Sequence, residues 1–244
     1  MDKIWADSVN ELNLINKKWW VQLKKLNYDK IDLTSKNYSL PYFMDIPTNW
    51  FKNEKIKILI VGEEARGDWN KENYRSWGID EITNWAKEHQ QEQLENTTKS
   101  TFWKRVKRIC DIDKEKIICA WTNLDKIHRN GTINCSLNNT ERKLLHSTEI
   151  KILAEEIRIL NPNIVLFCGY YKRRTAIESE LTNVAKKFYG KEGKDYISLF
   201  DEKIYQVVDS NIVYLFAQHP TGRTSSYEDK ICVAIKNVIA ELEQ

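Results

Sequence analysis

The 244-residue chain is poor in the residues that interrupt regular structure, with 8 glycines and 4 prolines. Collagen-like and low-complexity chains, which depend on those residues, are excluded. No apolar run approaches the ~20 residues that span a bilayer, so no membrane partner is expected. Asp2, Lys3, Asp7 and Glu11 interrupt the apolar residues at the N-terminus, which does not read as a secretory signal. The five cysteines (Cys110, Cys119, Cys135, Cys168, Cys232) form no C-x-x-C pair. That pattern argues against a Cys-rich zinc or iron–sulfur site and against a disulfide framework. No metal or cofactor is expected, and the compartment reads as a reducing cytoplasm. Also lacking is an excess of charge of one sign: 38 basic and 35 acidic residues leave +3. Overall charge therefore does not announce a nucleic-acid binder. With 30% charged and 41% apolar residues, what remains has the composition of a folded globular chain.

Apolar periodicity predicts helices over 8–26, 80–94, 100–110, 140–160, 171–188 and 226–243. In the first, Leu12, Ile15, Trp19, Leu23 and Leu26 form the stripe, and Ser8 and Glu11 have capping-box spacing. Strand runs occupy 56–61, 116–121, 164–168, 203–208 and 212–217. Strands alternating with helices predict a three-layer α/β sandwich. Its central sheet is mostly parallel with four to five strands, and helices cover both faces. Residues 1–54 read as a helical extension packed on the core and 55–244 as the α/β domain. In such sheets ligands bind beyond the carboxyl ends of the strands, so the residues after each strand run carry the most information.

After the first run comes Gly62-Glu63-Glu64-Ala65-Arg66-Gly67-Asp68, with two of the eight glycines and three carboxylates. It reads either as an ordinary βα turn or as a place where backbone approaches a ligand. After the second comes Asn123, which can cap a turn or present a donor and an acceptor to a base edge. After the last comes Gln218-His219-Pro220-Thr221-Gly222-Arg223-Thr224-Ser225, whose hydroxyls and amides lead into the final helix and suit a phosphate. Phe102 and Trp103, adjacent on a helix, diverge by about 100°, so one can pack inside while the other borders a cleft. Two basic runs, 104–108 and Lys172-Arg173-Arg174, are ordinary solvated helix faces unless they flank a site.

In this order the segments resemble the uracil-DNA glycosylase superfamily. Gly-Glu-x-x-x-Gly ends the first strand, an Asn follows the second, and His219-Pro220 closes the last. Asn161 to Gly169 is similar to the superfamily's third core strand, and Phe102-Trp103 to the pair that follows the pocket in the mismatch-specific branch. The resemblance covers about residues 55–240. The first motif departs from the usual Gly-x-x-Pro-Gly by one extra residue and by Arg66 where Pro is common. His219-Pro220-Thr221 stands where His-Pro-Ser is usual.

The resemblance implies a DNA glycosylase that hydrolyses the N-glycosidic bond of an extruded pyrimidine and leaves an abasic site. Glu63 or Glu64, with Asp68 as a further candidate, would stabilise the sugar cation and position water. His219 would donate to the base oxyanion as a neutral imidazole. Asn123 would read the base edge, and Phe102, Trp103 or Trp77 would stack on the base. Arg223 is similar to the wedge of the single-strand-selective branch. Thr221, Thr224, Ser225, Lys172, Arg173 and Arg174 would contact DNA, as would the 104–108 run. Gly67, where a bulky aromatic normally closes the pocket at C5, and Arg66 imply room for a C5-modified pyrimidine, such as the hydroxymethylated or glucosylated cytosines of phage DNA. An antiviral role then stands beside uracil repair. A non-catalytic DNA- or partner-binding module and a nucleoside hydrolase are the other readings. The expected partner is DNA and the expected state a monomer.

Overall fold

The computed structural model describes residues 3–25, 39, 41–52, 54–64, 78–95, 100–127, 139–169, 181, 183–184, 196–200 and 203–244. In chain order these form α1 (Lys3–Lys25), β1 (Ile56–Glu64), α2 (Ile79–Glu95), α3 (Thr101–Cys110), β2 (Ile117–Asp125) and α4 (Asn139–Leu160). They continue with β3 (Ile164–Cys168), β4 (Ile197–Leu199), β5 (Ile204–Asp209), β6 (Ile212–Ala217) and α5 (Ser225–Leu242). One sheet has the order β2-β1-β3-β6-β5-β4. Its first four strands run parallel; β5 is antiparallel to β6, and β4 antiparallel to β5.

Alternation along the strands sorts side chains between two helical layers. Leu59, Val61, Val165, Phe167 and Phe216 pack with Leu12 of α1 and Leu153 and Ile157 of α4. Ile58, Ile60, Leu166 and Leu215 pack on the opposite face with Val106 and Ile109 of α3 and Ile231 and Ile235 of α5. The protein is therefore the three-layer α/β sandwich that the alternation of elements predicts, with six strands among the described residues instead of four or five. The extra strand, β4, has three residues, two of them exposed. It carries no apolar run for a sequence reading to find.

The amino end of the sheet is fixed by Asn161-Pro162-Asn163. Asn161 leaves α4 with φ 43°. Asn163 Oδ1 accepts from Lys57 N–H at 2.9 Å, and Asn163 O accepts from Val213 N–H at 2.9 Å. One short turn thereby sets the register of three strands.

The segment before β1 is core in its own right. Tyr42, Phe43, Met44, Ile46 and Trp50 are buried. Trp50 Nε1–H donates to Leu160 O at 2.8 Å, and the Tyr42 ring lies 4.2 Å from that of Trp121. Helix α1 begins at Lys3, so Ser8 and Glu11 are interior to it and form no cap there; Glu11 instead pairs with Arg158 of α4. Most of the helix expected over 171–188 lies outside the described residues.

Candidate functional site

The carboxyl edge of the parallel strands brings the candidate residues into one row. Gly62 pairs with Asn123, Val61 with Phe167, and Phe167 with Phe216. Beyond β3, Gly169 N–H donates to Ala217 O at 2.9 Å. Glu63, Gly169 and Gln218 consequently occupy the same level on three neighbouring strand ends, and Asn123, level with Gly62, lies one residue lower on the fourth. Strands lie about 4.8 Å apart, so β1 and β6, with β3 between them, are roughly 10 Å apart.

Both β1 and β2 run further than their apolar stretches, to Glu64 and Asp125. Gly62, Glu63 and Asn123 are therefore strand residues, held by the ladder instead of lying in loose turns. Asn123 is 1% exposed. Its Nδ2 has no hydrogen-bond partner among the described residues. A buried amide donor left open is costly, commonly about 1–3 kcal/mol. Its Oδ1 lies against Gly62: a Cβ there would meet Oδ1 at 2.4 Å and the Phe102 ring at 3.3 Å. Gly62 thus lets Asn123 and Phe102 converge. Phe102 is half-buried in the first turn of α3, while Trp103 is buried against Trp121 at 4.7 Å between ring centroids. Trp103 is core, and Phe102, half-buried, packs on Trp121 at 5.6 Å between centroids while its ring edge faces Gly62.

Glu63 is buried, and its side chain passes over the tip of β3. Gly169 makes this possible, since a Cβ there would meet Glu63 Cγ at 2.4 Å and Oε1 at 2.6 Å. Its φ of 106° also belongs to glycine.

The loop after β6 is tightly tied. Thr221 N–H donates to His219 Nδ1 at 3.3 Å, so a neutral His219 ring carries its proton on Nε2. Arg223 N–H returns to Pro220 O at 3.1 Å, with Gly222 at φ 75°. The Arg223 guanidinium is hydrogen-bonded to Gln218 Oε1. Thr224 caps α5, its hydroxyl accepting from Tyr227 N–H at 3.2 Å. Thr221 and Thr101 hydroxyls lie 3.4 Å apart, and Ser225 Oγ accepts from Arg108 at 3.4 Å. The N-termini of α3 and α5 meet at this loop.

The basic run 104–108 is not a continuous solvated face. Arg105 is 1% exposed, and its Nε and second terminal nitrogen donate to Glu228 at 2.7 and 2.6 Å. Its remaining terminal nitrogen donates to Gln218 O at 2.7 Å. Arg108 pairs with Asp229 and Lys107 with Asp111. The reading of the whole run as a phosphate contact is corrected accordingly: its central member is internal.

Behind Asn123 lies a buried charged cluster that the reading of strand ends missed. Lys126 Nζ donates to both Glu156 oxygens at 2.7 Å and also contacts the Thr122 hydroxyl. Glu149 Oε1 accepts from the Lys126 and Ile127 N–H groups at 3.0 and 3.1 Å. Burial pushes the Glu149 carboxyl well above its ordinary value, and Asp125 beside it pushes further. Burial lowers Lys126, with Glu156 acting against it. A signal did exist: Glu149, Ile152, Leu153, Glu156, Ile157 and Leu160 share one helical stripe, as do Phe102, Arg105, Val106 and Ile109. A charge at the apolar phase of a helix marks a buried ion pair.

Arg66, Gly67, Asp68, Trp77, Lys172, Arg173 and Arg174 lie outside the described residues, as does the side chain of Glu64. Among the described residues no cluster of His, Cys, Asp or Glu is arranged to hold a metal ion. No helix among them is long and apolar enough to cross a membrane. No protein-family model and no curated protein matches this chain.

Proposed function

We propose that this chain is a DNA glycosylase acting on an extruded pyrimidine. The observation that carries the reading is Asn123: a buried side-chain amide whose Nδ2 lacks a partner among the described residues, beside a half-buried aromatic, at the carboxyl edge of a parallel sheet. Such a donor suits the edge of a planar base, and Phe102 suits its face. Glu63 and His219 stand on strand ends roughly 10 Å apart, enough for a ring held from both sides. In the proposed reaction the base lies between them. The Nε2–H of His219 donates to the oxygen on which negative charge develops. The carboxylate of Glu63 stabilises the sugar cation and orients the attacking water, the bond from C1′ to the base nitrogen breaks as the water oxygen bonds to C1′, and the proton the water gives up ends on the departing base. Glu64 and Asp68 are the other carboxylates proposed for that role.

DNA is the proposed partner, with Arg223, Thr221 and Ser225 facing it from the His219 loop. Arg223 would leave Gln218 to fill the stack vacated by the base. The Thr224 hydroxyl already caps α5, so its contribution is to the helix end that receives phosphate. A pyrimidine bearing a polar C5 group is the proposed substrate, on the strength of Gly67 and Arg66; uracil is the competing one.

The test is incubation with DNA carrying uracil or a bulky C5-substituted cytosine, followed by alkali to cleave at abasic sites. Wild-type protein should produce them. His219→Ala should lose about 10²–10³ in rate, the usual cost of one oxyanion donor. Glu63→Ala and Asn123→Ala should also lose activity while all three variants still melt cooperatively. Undiminished activity in the three variants, or none in the wild type with any pyrimidine, would overturn the proposal. Preference for uracil in direct competition would remove only the C5 assignment.

A further inference from the structure

Arg105 lies at the junction of the two helices that flank the His219 loop. Its guanidinium grips Glu228 of α5 with two nitrogens and Gln218 O with the third. Gln218 is held at three polar groups: its N–H donates to Tyr227 Oη at 2.8 Å, its carbonyl accepts from Arg105, and its Oε1 accepts from Arg223. Tyr227 is itself fixed, packed against the Arg105 guanidinium at 5.9 Å and reaching Lys203 O at 3.5 Å. These contacts define the peptide plane immediately before His219. They also join α3, which carries Phe102, to α5.

We propose that Arg105 is a positioning residue. By clamping the Gln218 carbonyl against Glu228, it orients the His219 backbone so that Nδ1 receives the Thr221 N–H and Nε2–H faces the site. The inference rests on the glycosylase reading for its consequence in catalysis, but not for its structural content. An arginine is suited to the task because its planar fork binds a carboxylate with two donors and leaves a third for the carbonyl. A lysine can replace the charge but not all three directions.

The experiment compares Arg105→Lys, Arg105→Met and Glu228→Gln in the full chain. The ligand-free readout is the imidazole 15N spectrum of His219, which distinguishes the tautomers. Wild type should show the proton on Nε2. Glu228→Gln and Arg105→Met should show mixed tautomers, with Arg105→Lys closer to wild type. For abasic-site formation, kcat should fall on the order of 10²-fold in Arg105→Met with little change in KM, since misplacing a reacting group by about an ångström has that cost. Arg105→Lys should recover part of it. If Arg105→Met does not fold, Glu228→Gln carries the test, because its carboxamide keeps the shape of the partner. A wild-type His219 spectrum in folded Glu228→Gln and Arg105→Met overturns the proposal, whatever their kcat. Should wild-type protein form no abasic sites, the glycosylase reading fails while the spectrum still decides the role of Arg105.

Discussion

Glu63 is held in the site by what its neighbour lacks. Glu63 can cross the tip of β3 only because position 169 has no side chain, and Gly169 has a backbone conformation that L-residues rarely adopt. Gly169→Ala should therefore cost about 1–3 kcal/mol of stability. It should also displace Glu63 and depress base excision. Thermal melts of Gly169→Ala, Glu63→Ala and the double variant separate the two causes. The double variant should be more stable than the sum of the single effects, because the clash partner is gone. Simple additivity would mean that strain alone matters. A second residue-scale expectation concerns Glu149, whose Oε2 has no hydrogen-bond partner among the described residues. Its folded pKa is raised by burial and then by Asp125. The native state thus holds this proton more tightly than the unfolded chain. Its contribution to stability falls as pH rises from the ordinary glutamate value through the raised one. Glu149→Gln keeps the Oε1 acceptor and removes the charge. It should match wild type near pH ~4 and melt at a higher temperature than wild type at neutral pH. Melting curves of both proteins across that range check this; a constant difference at all pH values would refute it.

At the scale of elements, α3 performs three tasks on one short stripe. Trp103, Val106 and Ile109 anchor it to the sheet, Arg105 ties it to α5, and Phe102 faces Gly62 and Asn123. Trp103→Ala should cost about 3–5 kcal/mol, as for a large core aromatic. Phe102→Ala, half-buried, should cost less and instead impair excision. Denaturant midpoints and abasic-site rates measured side by side test the division, and equal destabilisation by both would contradict it. This helix also shows what could be read from residue order. Its existence over 100–110 and the divergence of its aromatics follow from period and helix geometry, and the strand runs of β1, β2, β3, β5 and β6 from apolar continuity. The inward turn of Arg105 does not follow, because a basic residue between Lys104 and Lys107 has the look of a solvated face. Only its place in the 102–105–106–109 stripe hinted otherwise, and its partners are more than a hundred residues away. The extension of β1 and β2 to Glu64 and Asp125 was likewise hidden, since polar residues at a strand end resemble a turn until their ladder partners are known. Short, exposed β4 offered no periodic signal.

The whole molecule depends on its first fifty residues more than a packed extension would suggest. Tyr42, Phe43, Met44, Ile46 and Trp50 are buried at 2% exposure or less. At about 1.5–3 kcal/mol for each large apolar side chain buried, these five alone amount to roughly 10 kcal/mol. That is comparable with the entire stability of an ordinary domain, about 5–15 kcal/mol. Removing them would also leave Leu160 O without the Trp50 indole, and it would uncover Trp121, which packs against Trp103 and Phe102. The chain from 55 onward should therefore fail to fold alone, although it holds every candidate catalytic residue. A truncated protein starting at Lys55 is expected to be insoluble or to lack a cooperative melt. A milder variant, Trp50→Phe, which removes the indole N–H but keeps an aromatic ring, should lower stability by about 1–3 kcal/mol through the unpaired carbonyl and the lost volume. A truncated chain that melts cooperatively near the full-length temperature would show the segment to be dispensable, and the energetic role assigned here to residues 42–50 would be wrong.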